Sequence, residues 1–297
     1  MKGKKVIIIT IILSILITII AVSFLNEKDQ IQLTQLSPQS FTQMMGYIIK
    51  TNKNKIIAID GGTAEDTHNW IKHIEKLGKR VDYWFITHPH KDHAGVFNKI
   101  MNENTKIEVG TIYYTANDLE WYKKNDTTRA VEVEMFYSTI QRNEIKEKTK
   151  EVDLNQKIKI DNIDCEILGV KNPEITKNPT NNSSMIIKMN INNKSILFLG
   201  DAGIECGQKL LKDQRNKLKS DIVQMSHHGQ AGVTQEVYKA IQPEICLWPT
   251  TQWLWDNDLG HGYNTATYKT IETRQWMEDL GIEQNIVAKD GDKTIEI

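Results

Sequence analysis

The sequence predicts an α/β domain in which two mixed sheets stack face to face with helices on the outside, preceded by one apolar N-terminal segment. Strand and helix patterns alternate through the first half of the chain, and the same alternation recurs in the second half. The intervening turns are short and polar, and no linker rich in Gly, Ser or Pro divides the sequence. We therefore expect one domain over residues 27–297, following a separate segment over residues 1–26.

The N-terminal segment has the features of a membrane anchor. Three lysines among the first five residues precede an uncharged, Ile-rich run from Val6 to Leu25, which is about the length of a membrane-spanning helix. Because lysines before such a run stay in the cytoplasm, we expect a single-pass cell-membrane protein with its folded domain outside the cell. A cleaved signal peptide is the alternative, since Ala21-Val22-Ser23 offers a small-residue cleavage site, and the domain would then be secreted.

Composition argues against some classes of partner. The formal charge is −1, and without the three leader lysines 34 basic residues face 38 acidic ones, a charge of −4. We expect no broad basic surface and therefore no stable binding to duplex DNA, although a small local phosphate site is compatible with this balance. Cys165, Cys206 and Cys246 form no CxxC pair, so we expect small buried side chains rather than a zinc ribbon or a thioredoxin-type motif.

In the first half, the predicted elements lead directly to one polar motif. Two short apolar segments joined by Thr51-Asn52-Lys53-Asn54 favour a hairpin, with strands over 43–50 and 55–60. A helix with apolar residues at helical spacing follows over 66–77, and Gly78 ends it. The pattern then predicts a strand over 81–86, a helix over 92–101, a strand over 106–114 and a charged helix over 129–148.

Period-two alternation resumes in the second half. It predicts four strands, with Asn192-Asn193 as the turn between the last two, over 157–160, 165–170, 184–191 and 195–199. Three helices are then predicted over 204–218, 234–241 and 265–280. Strands over 221–225, 244–247 and 285–288 alternate with them.

The strongest chemical signal is the run His88-Pro89-His90-Lys91-Asp92-His93. It lies at a predicted strand-to-helix junction, where the backbone leaves the sheet edge, so three imidazoles and one carboxylate can point into one small volume. Imidazole suits zinc and related first-row ions, and the carboxylate also admits harder ions such as manganese or iron. A surface histidine cluster is the alternative, which the apolar strand just before the motif disfavours.

This pattern, His-x-His-x-Asp-His, resembles the signature of the metallo-β-lactamase fold superfamily. Members are four-layer αββα sandwiches that commonly hold two metal ions bridged by water or hydroxide. The resemblance implies that His88 and His90 are ligands of the first metal, and that Asp92 and His93 are ligands of the second.

Further matches follow in the expected order. Phe198-Leu199-Gly200-Asp201-Ala202 resembles the strand end whose aspartate bridges both metals. Met225-Ser226-His227-His228-Gly229 resembles the last histidine motif, in which His227 is the expected ligand. Asp60-Gly61-Gly62 resembles an early Asp-Gly turn that supports the site. The resemblance covers the chain from about residue 40 to residue 250.

Within the superfamily, the chain is most similar to the hydrolase domain of ComEC, the DNA internalisation-related competence protein. That branch has an Asn-Asn-x-Ser strand start, present here as Asn181-Asn182-Ser183-Ser184, together with Gly-Asp-Ala and His-His-Gly turns. One feature departs from many relatives, which take a third histidine for the first metal from the region before the bridging aspartate, because residues 150–200 contain no histidine. Three alternatives follow: Asn182 or Ser184 lines that position, the first metal has an open coordination site, or one metal is held more tightly than the other.

The resemblance implies an extracytoplasmic hydrolase with zinc at two sites, manganese or iron being alternatives. A cation lowers the pKa of bound water and so generates hydroxide near an electrophile, and Asp92 is expected to orient that nucleophile as the catalytic residue. The expected substrate is a phosphodiester in nucleic acid, a nucleotide or a cell-surface polymer. Two alternatives are lactam or acyl-ester hydrolysis, and a non-catalytic metal-binding surface module associated with competence or envelope machinery.

Four residues are candidate substrate contacts, namely Asn182, Ser184, His228 and His261. His261 lies in a Gly-rich stretch after the last motif, where the superfamily often carries substrate-contacting loops. The segment 248–258 contains three tryptophans and two aspartates that could enclose a cationic group or stack on a sugar or base, or else pack under the sheet edge. His68 and His73, five residues apart on a predicted helix, are expected to be surface residues.

Overall fold

The computed structural model describes residues 30–103 and 105–297, which form two seven-stranded mixed sheets with helices on both outer faces. The predicted anchor over residues 1–26 lies outside the described residues. Among the helices that are described, none combines the length and the apolar composition needed to cross a bilayer.

The first sheet has the strand order β14-β1-β2-β3-β4-β5-β6. Strands β3 to β6 run parallel to one another, whereas β2, β1 and β14 are added antiparallel at one side. The strand bounds are β1 (Gln32–Gln35), β2 (Gly46–Lys50), β3 (Ile56–Asp60), β4 (Arg80–Ile86), β5 (Glu108–Tyr114), β6 (Thr149–Glu151) and β14 (Lys293–Glu296).

The second sheet has the order β13-β12-β11-β10-β9-β8-β7. An antiparallel meander, β7 to β10, leads into three parallel pairings from β10 to β13. The strand bounds are β7 (Lys157–Ile160), β8 (Ile163–Gly169), β9 (Ile186–Ile191), β10 (Lys194–Phe198), β11 (Ile222–Gln224), β12 (Ile245–Trp248) and β13 (Gln284–Val287).

Helices cover the outer face of each sheet. The α-helical bounds are α1 (Thr67–Lys76), α2 (Lys91–Asn102), α3 (Leu119–Asn125), α4 (Ala130–Ile140), α5 (Asn143–Lys146), α6 (Ile204–Gln214), α7 (Gln235–Ile241), α8 (Gln252–Trp255) and α9 (Thr270–Asp279). On the first sheet the helix layer packs through aromatic contacts, such as the stacked rings of Trp70 and Trp84, whose centroids are 4.5 Å apart. On the second sheet, α6, α7 and α9 bury Leu210, Val237 and Met277 against the strands.

The central core lies between the two sheets and joins them. Tyr47 from the first sheet meets Phe198 from the second edge to face, with ring centroids 5.3 Å apart, and both side chains are fully buried. Each large side chain buried in this way contributes about 1.5–3 kcal/mol relative to an exposed one. The predicted four-layer arrangement of two sheets with outer helices is therefore confirmed.

Several short elements differ from the prediction. Strands β1, β6 and β14 and helices α3 and α8 were not predicted, and the predicted helix over 129–148 is divided into α4 and α5. The division occurs at Arg142, whose backbone is extended (φ −60°, ψ 135°). Its guanidinium donates to the carbonyl oxygen of Met101 at 2.9 Å and to Asn102 at 2.7 Å, so a tertiary contact with the end of α2 interrupts the helix.

The cysteines and tryptophans act mainly as packing residues. All three cysteines are buried, as predicted, and burial raises the pKa of each thiol to about 12. Trp248 is fully buried, and the ring face of Trp255 is covered by the guanidinium of Arg274 at 4.1 Å from the ring centroid. These two rings therefore support the packing alternative for the tryptophan-rich segment.

Candidate metal centre

The candidate ligands all follow the carboxyl ends of parallel strands. His88 and His90 lie in the connection from β4 to α2, Asp92 and His93 lie in the first turn of α2, Asp201 follows β10, and the two histidines at 227 and 228 follow β11. In stacked sheets of this kind, the carboxyl ends of neighbouring parallel strands meet at one edge, where side chains from distant parts of the sequence converge. The fold thus brings the polar motifs together at the edge of the sandwich.

Four side chains form a compact donor group there. One donor atom from each of Asp92, His93, Asp201 and His228 lies within 4.8 Å of the other three. Nε2 of His93 is 3.2 Å from Oδ1 of Asp201, and Nε2 of His228 is 3.3 Å from Oδ2 of Asp92 and 3.5 Å from Oδ2 of Asp201. His93, Asp201 and His228 are buried, and the Asp92 side chain is 13% exposed.

The donor atoms of this group lack other partners. Within residues 30–103 and 105–297, Nε2 of His93, Nε2 of His228 and Oδ1 of Asp201 are buried and make no hydrogen bond. A buried polar atom without a partner costs about 1–3 kcal/mol. A divalent cation would satisfy all three atoms at once, and two imidazoles with two carboxylates are a donor set suited to zinc, iron or manganese. The residues therefore fit a metal ion.

His88 and His90 are a second set of candidate ligands beside Asp201. Nε2 of His88 lies 3.1 Å from Nδ1 of His90 and 3.9 Å from Oδ2 of Asp201. On the other side of the His88 ring, Nδ1 is 3.2 Å from Oγ1 of Thr87 and 3.3 Å from Oγ of Ser184. When these oxygens accept the proton of Nδ1, Nε2 carries a free lone pair that can bind a metal.

Asp60 fixes the orientation of the motif from behind. Its carboxylate accepts hydrogen bonds from the backbone N–H and the hydroxyl of Thr87, each at 2.7 Å, and from Nδ1 of His93, also at 2.7 Å. Because Nδ1 of His93 donates to Asp60, Nε2 is left free to face Asp201. The Asp-Gly turn after β3 is thus a support for the donor group.

Burial and neighbouring charges shift the pKa values of these groups in different directions. Burial, reinforced by the neighbouring histidines, lowers the pKa of His88 well below its usual value, which favours the neutral imidazole that metals bind. Burial also lowers the pKa of His228, but Asp201 and Asp92 outweigh it and raise that pKa to about 9. Burial raises the pKa of Asp201, yet His93 and His228 hold it well below its usual range, so the carboxylate is ionised.

The two adjacent histidines point in different directions because the backbone takes left-handed conformations there. The φ angles are 51° at His227, 56° at His228 and 78° at Gly229. Nδ1 of His228 bonds to the carbonyl oxygen of Pro249 at 2.9 Å, so its Nε2 faces the donor group. The sequence had favoured His227 as the ligand and His228 as a substrate contact, whereas the structure brings His228 into the group.

His227 instead borders the group. Its Nδ1 lies 3.3 Å from the carbonyl oxygen of Ala231, its Nε2 lies 3.1 Å from Nδ2 of Asn181, and the same Nε2 is 3.8 Å from Oδ2 of Asp201. That His227 binds a metal stays a prediction.

The other candidate substrate residues lie in three different settings. Ser184 contacts His88 and accepts a hydrogen bond from the backbone N–H of Asp201 at 3.0 Å, so it supports the donor group. Asn182 lies outside it, because its Oδ1 accepts from the backbone N–H groups of Gly203 and Cys206 at 3.0 and 3.1 Å, at the start of α6. His261 is exposed in the loop after α8.

Two residues near the centre were not singled out from the sequence, Asn181 and Arg129. Arg129 lies at the start of α4, where its guanidinium donates to Glu132 at 2.9 Å. Burial lowers the pKa of Arg129, but Glu132, Asp92 and Asp126 raise it, so its positive charge acts on the Asp92 carboxylate. No local pattern identifies Arg129, because only the packing of α4 against α2 brings it to the motif.

Comparisons with known proteins agree with this architecture. The crystal structure of the metallo-beta-lactamase fold protein YhfI from Bacillus subtilis superposes with a TM-score of 0.55 at 12% identity, covering 91% of this chain and 100% of that chain. CmlA, a diiron beta-hydroxylase from Streptomyces venezuelae, gives a TM-score of 0.53 at 11% identity. That alignment covers 91% of this chain and 54% of CmlA, so this chain spans about half of its length.

At these identities the likeness is one of fold. No protein with a curated description matches the sequence at a significant level. The family model described as "Metallo-beta-lactamase superfamily" matches residues 46–244, which is more than half of the chain and includes the whole donor group. The chain therefore belongs to the metallo-β-lactamase superfamily.

Proposed function

We propose that this chain is an extracytoplasmic, metal-dependent hydrolase of phosphodiesters with two metal subsites that share Asp201. The observation that carries this proposal is the set of buried, unpartnered donor atoms on His93, His228 and Asp201, in a superfamily whose members are in general metal-dependent hydrolases. Buried donors without partners are costly, so their convergence supports a role in holding ions.

In this proposal each subsite has its own residues. His88, His90 and Asp201 hold the first ion, and Asp92, His93, Asp201 and His228 hold the second. Zinc suits the imidazole-rich set, and iron is the main alternative, since the structural neighbour CmlA is described as a diiron protein. The bound ions would acidify a water molecule and stabilise negative charge on a phosphoryl oxygen.

The protein's own residues provide orientation and exclude water. Asp92 is the member of the four-residue group with partial exposure, at 13%, so it is the carboxylate placed to orient a water molecule that enters from solvent. Asp60 holds His93 in the tautomer whose Nε2 can bind a metal. The burial of the remaining donors keeps competing water away from them.

Arg129 supports an anionic substrate. Its guanidinium pairs with Glu132 and interacts electrostatically with Asp92, and its side chain is 47% exposed, so a phosphate group arriving from solvent could pair with it. A planar guanidinium suits phosphate better than it suits a neutral lactam or ester. The position of Arg129 and the resemblance to the ComEC hydrolase domain therefore both support a phosphodiester substrate.

The location of the domain is proposed from the sequence. The lysines before the apolar run of residues 6–25 support a single-pass anchor with the domain outside the cell, or a secreted domain if the leader is cleaved. The acidic balance of the remainder supports a small or single-stranded substrate over stable binding to duplex DNA.

Metal analysis combined with two chromogenic substrates tests the proposal. We expect the purified full chain to contain up to two ions and to hydrolyse bis-p-nitrophenyl phosphate in preference to nitrocefin, a β-lactam. Asp92→Asn should abolish turnover while the unfolding transition stays cooperative. Preference for nitrocefin would favour the lactam alternative, and one tightly held ion without hydrolysis of any ester would favour the non-catalytic binding module. Full activity of Asp92→Asn would refute the assignment of the site.

A further inference from the structure

We infer that the side-chain oxygen of Asn181 is the third protein donor of the first metal subsite, and that His227 is the positioning residue that holds the Asn181 amide. This inference rests on the proposed function, because it concerns the same metal centre. Many relatives use a histidine from the region before the bridging aspartate as this donor, and here an amide oxygen takes its place.

Asn181 combines burial with an unused acceptor. The residue begins the short 3-10 turn Asn181–Ser183, two residues before β9, and is 4% exposed. Its Oδ1 makes no hydrogen bond to any part of the described chain, as is also true of the donors on His93 and His228. An amide oxygen buried in this way without a partner is available to a cation, for which carbonyl oxygens are common ligands.

The neighbours of Asn181 place it beside the first subsite. Nδ2 of Asn181 lies 3.1 Å from Nε2 of His227, and that Nε2 lies 3.8 Å from Oδ2 of Asp201. His88 approaches the same Asp201 oxygen at 3.9 Å. At the other end of the turn, Ser184 contacts Nδ1 of His88 at 3.3 Å. The turn is therefore in contact with two residues that border the first subsite.

The hydrogen-bond pattern assigns the two roles. Nδ1 of His227 faces a carbonyl oxygen, that of Ala231, so the proton of the neutral ring is on Nδ1 and Nε2 accepts from the Asn181 amide. Because Nε2 of His227 accepts from Nδ2 of Asn181, that nitrogen is not free to bind an ion. The same hydrogen bond orients the Asn181 amide, so that its oxygen is left without a partner.

The turn that carries Asn181 is fixed by its other side chains. Oγ of Ser183 accepts from Nδ2 of Asn117 at 3.0 Å, and Thr180 donates to Asp126 at 2.6 Å. Asn182 is occupied at the start of α6. A donor held on a rigid turn needs no reorganisation to bind an ion, which is the arrangement expected of a ligand.

An amide oxygen changes which ions the first subsite prefers. Carbonyl and carboxylate oxygens suit hard ions such as manganese and iron, whereas a third imidazole suits zinc. We therefore expect the first subsite to discriminate less strongly in favour of zinc than a three-histidine site does. Asn181→His should shift its preference towards zinc.

Metal titration of the full chain purified in detergent tests this inference without reference to turnover. We expect two zinc ions in the wild type, measured by mass spectrometry after chelator competition. In Asn181→Ala the first ion should be lost or weakened more than 100-fold, whereas Asn181→Asp, which keeps an oxygen, should retain both ions. In His227→Ala the first ion should weaken by about 10–100-fold, the usual effect of losing a residue that orients a ligand.

Asn98→Ala is the matched control. Asn98 is also a buried asparagine with an unpartnered Oδ1 among the described residues, but it lies in α2 outside the donor group. This variant should bind both ions as the wild type does, and the same control detects any general effect of removing a buried amide.

Three results would overturn the inference. Unchanged affinity for both ions in Asn181→Ala removes Asn181 as a ligand. Loss of one ion in His227→Ala while Asn181→Ala keeps both would make His227 the ligand. A wild-type chain with one ion leaves no first subsite to complete, whereas a wild-type chain that binds no ion would overturn the proposed function itself.

Discussion

Replacing Asp60 with asparagine tests whether the carboxylate behind the metal centre controls the tautomer of His93. In the native structure Oδ1 accepts from the backbone N–H of Thr87, and Oδ2 accepts from the Thr87 hydroxyl and from Nδ1 of His93. Asp60→Asn keeps the first contact but places an NH₂ group, which can only donate, opposite the other two. The Thr87 hydroxyl can rotate and accept a hydrogen bond from the new NH₂ group. The His93 ring must either move its proton from Nδ1 to Nε2 or lose its hydrogen bond to residue 60.

The size of the effect follows from these contacts. A hydrogen bond to a charged group contributes about 1.5–3 kcal/mol, and Asp60→Asn removes one such bond and weakens the others. We expect the free energy of unfolding to fall by about 2–4 kcal/mol. A proton on Nε2 of His93 blocks the atom that faces Asp201, so affinity for the second ion should fall by about 10–100-fold, as is typical for lost outer contacts.

Denaturant unfolding of the ion-free chain measures the stability change, and chelator competition measures the affinity change. Asp82→Asn is the control, because Asp82 is also a buried carboxylate of the first sheet and accepts from the Ile56 backbone at 2.9 Å, away from the donor group. It should lower stability without changing metal affinity. If Asp60→Asn bound both ions as tightly as the wild type, the tautomer argument would be refuted.

Three further predictions concern residues around the site and the edge of the first sheet. Arg129→Ala should raise KM for bis-p-nitrophenyl phosphate about tenfold, a loss of ~1.4 kcal/mol of binding, and leave KM for a neutral ester unchanged; an equal rise for both esters would contradict a role in phosphate binding. Asn182→Ala should lower the free energy of unfolding by about 1–2 kcal/mol, because it removes the acceptor for two N–H groups at the start of α6, and should keep both ions; loss of an ion in this variant would make Asn182 part of the metal centre. Asp292 makes stability depend on pH. Burial raises the pKa of its carboxyl, but hydrogen bonds from His73 and Ser37 hold that pKa well below the usual value near 4. The contribution of Asp292 to stability is therefore present above about pH 4 and is lost as the pH falls through the pKa of the folded state. Urea unfolding of Asp292→Asn and the wild type should differ at pH 7, and the difference should shrink steadily as the pH falls below about 4; a constant difference at all pH values would contradict the assignment.

The elements that the sequence predicted well are those with strong local patterns. Strand β3 is a nearly continuous apolar run buried on both faces, β4 and β10 end in such runs, and β9 alternates buried with more exposed residues, so period and length identify all four. Strands β1 and β14 have no such pattern. Both are short; β14 is the edge strand of the sheet, and β1 lies between β14 and β2 and pairs antiparallel with both.

The candidate site divides in the same way. Spacing alone indicates that His88, His90, Asp92 and His93 can share one volume, because they lie at a single strand-to-helix junction. Spacing does not show what lies behind them, such as the hydrogen bond between Asp60 and His93, which joins the end of β3 to the first turn of α2. Nor does it place Arg129 or Asn181, whose neighbours at the centre are distant in sequence.

By itself, the amino-acid order determined that this protein has a layered α/β domain with a histidine- and aspartate-rich motif suited to a metal. These properties are encoded over a few consecutive residues, in hydrophobic period and in the chemistry of one short run. Only the tertiary structure decided which of two adjacent histidines joins the group of Asp92, His93 and Asp201, and which asparagine at 181 and 182 has an oxygen without a partner. Those choices depend on left-handed backbone angles and on contacts between remote segments, neither of which local sequence specifies.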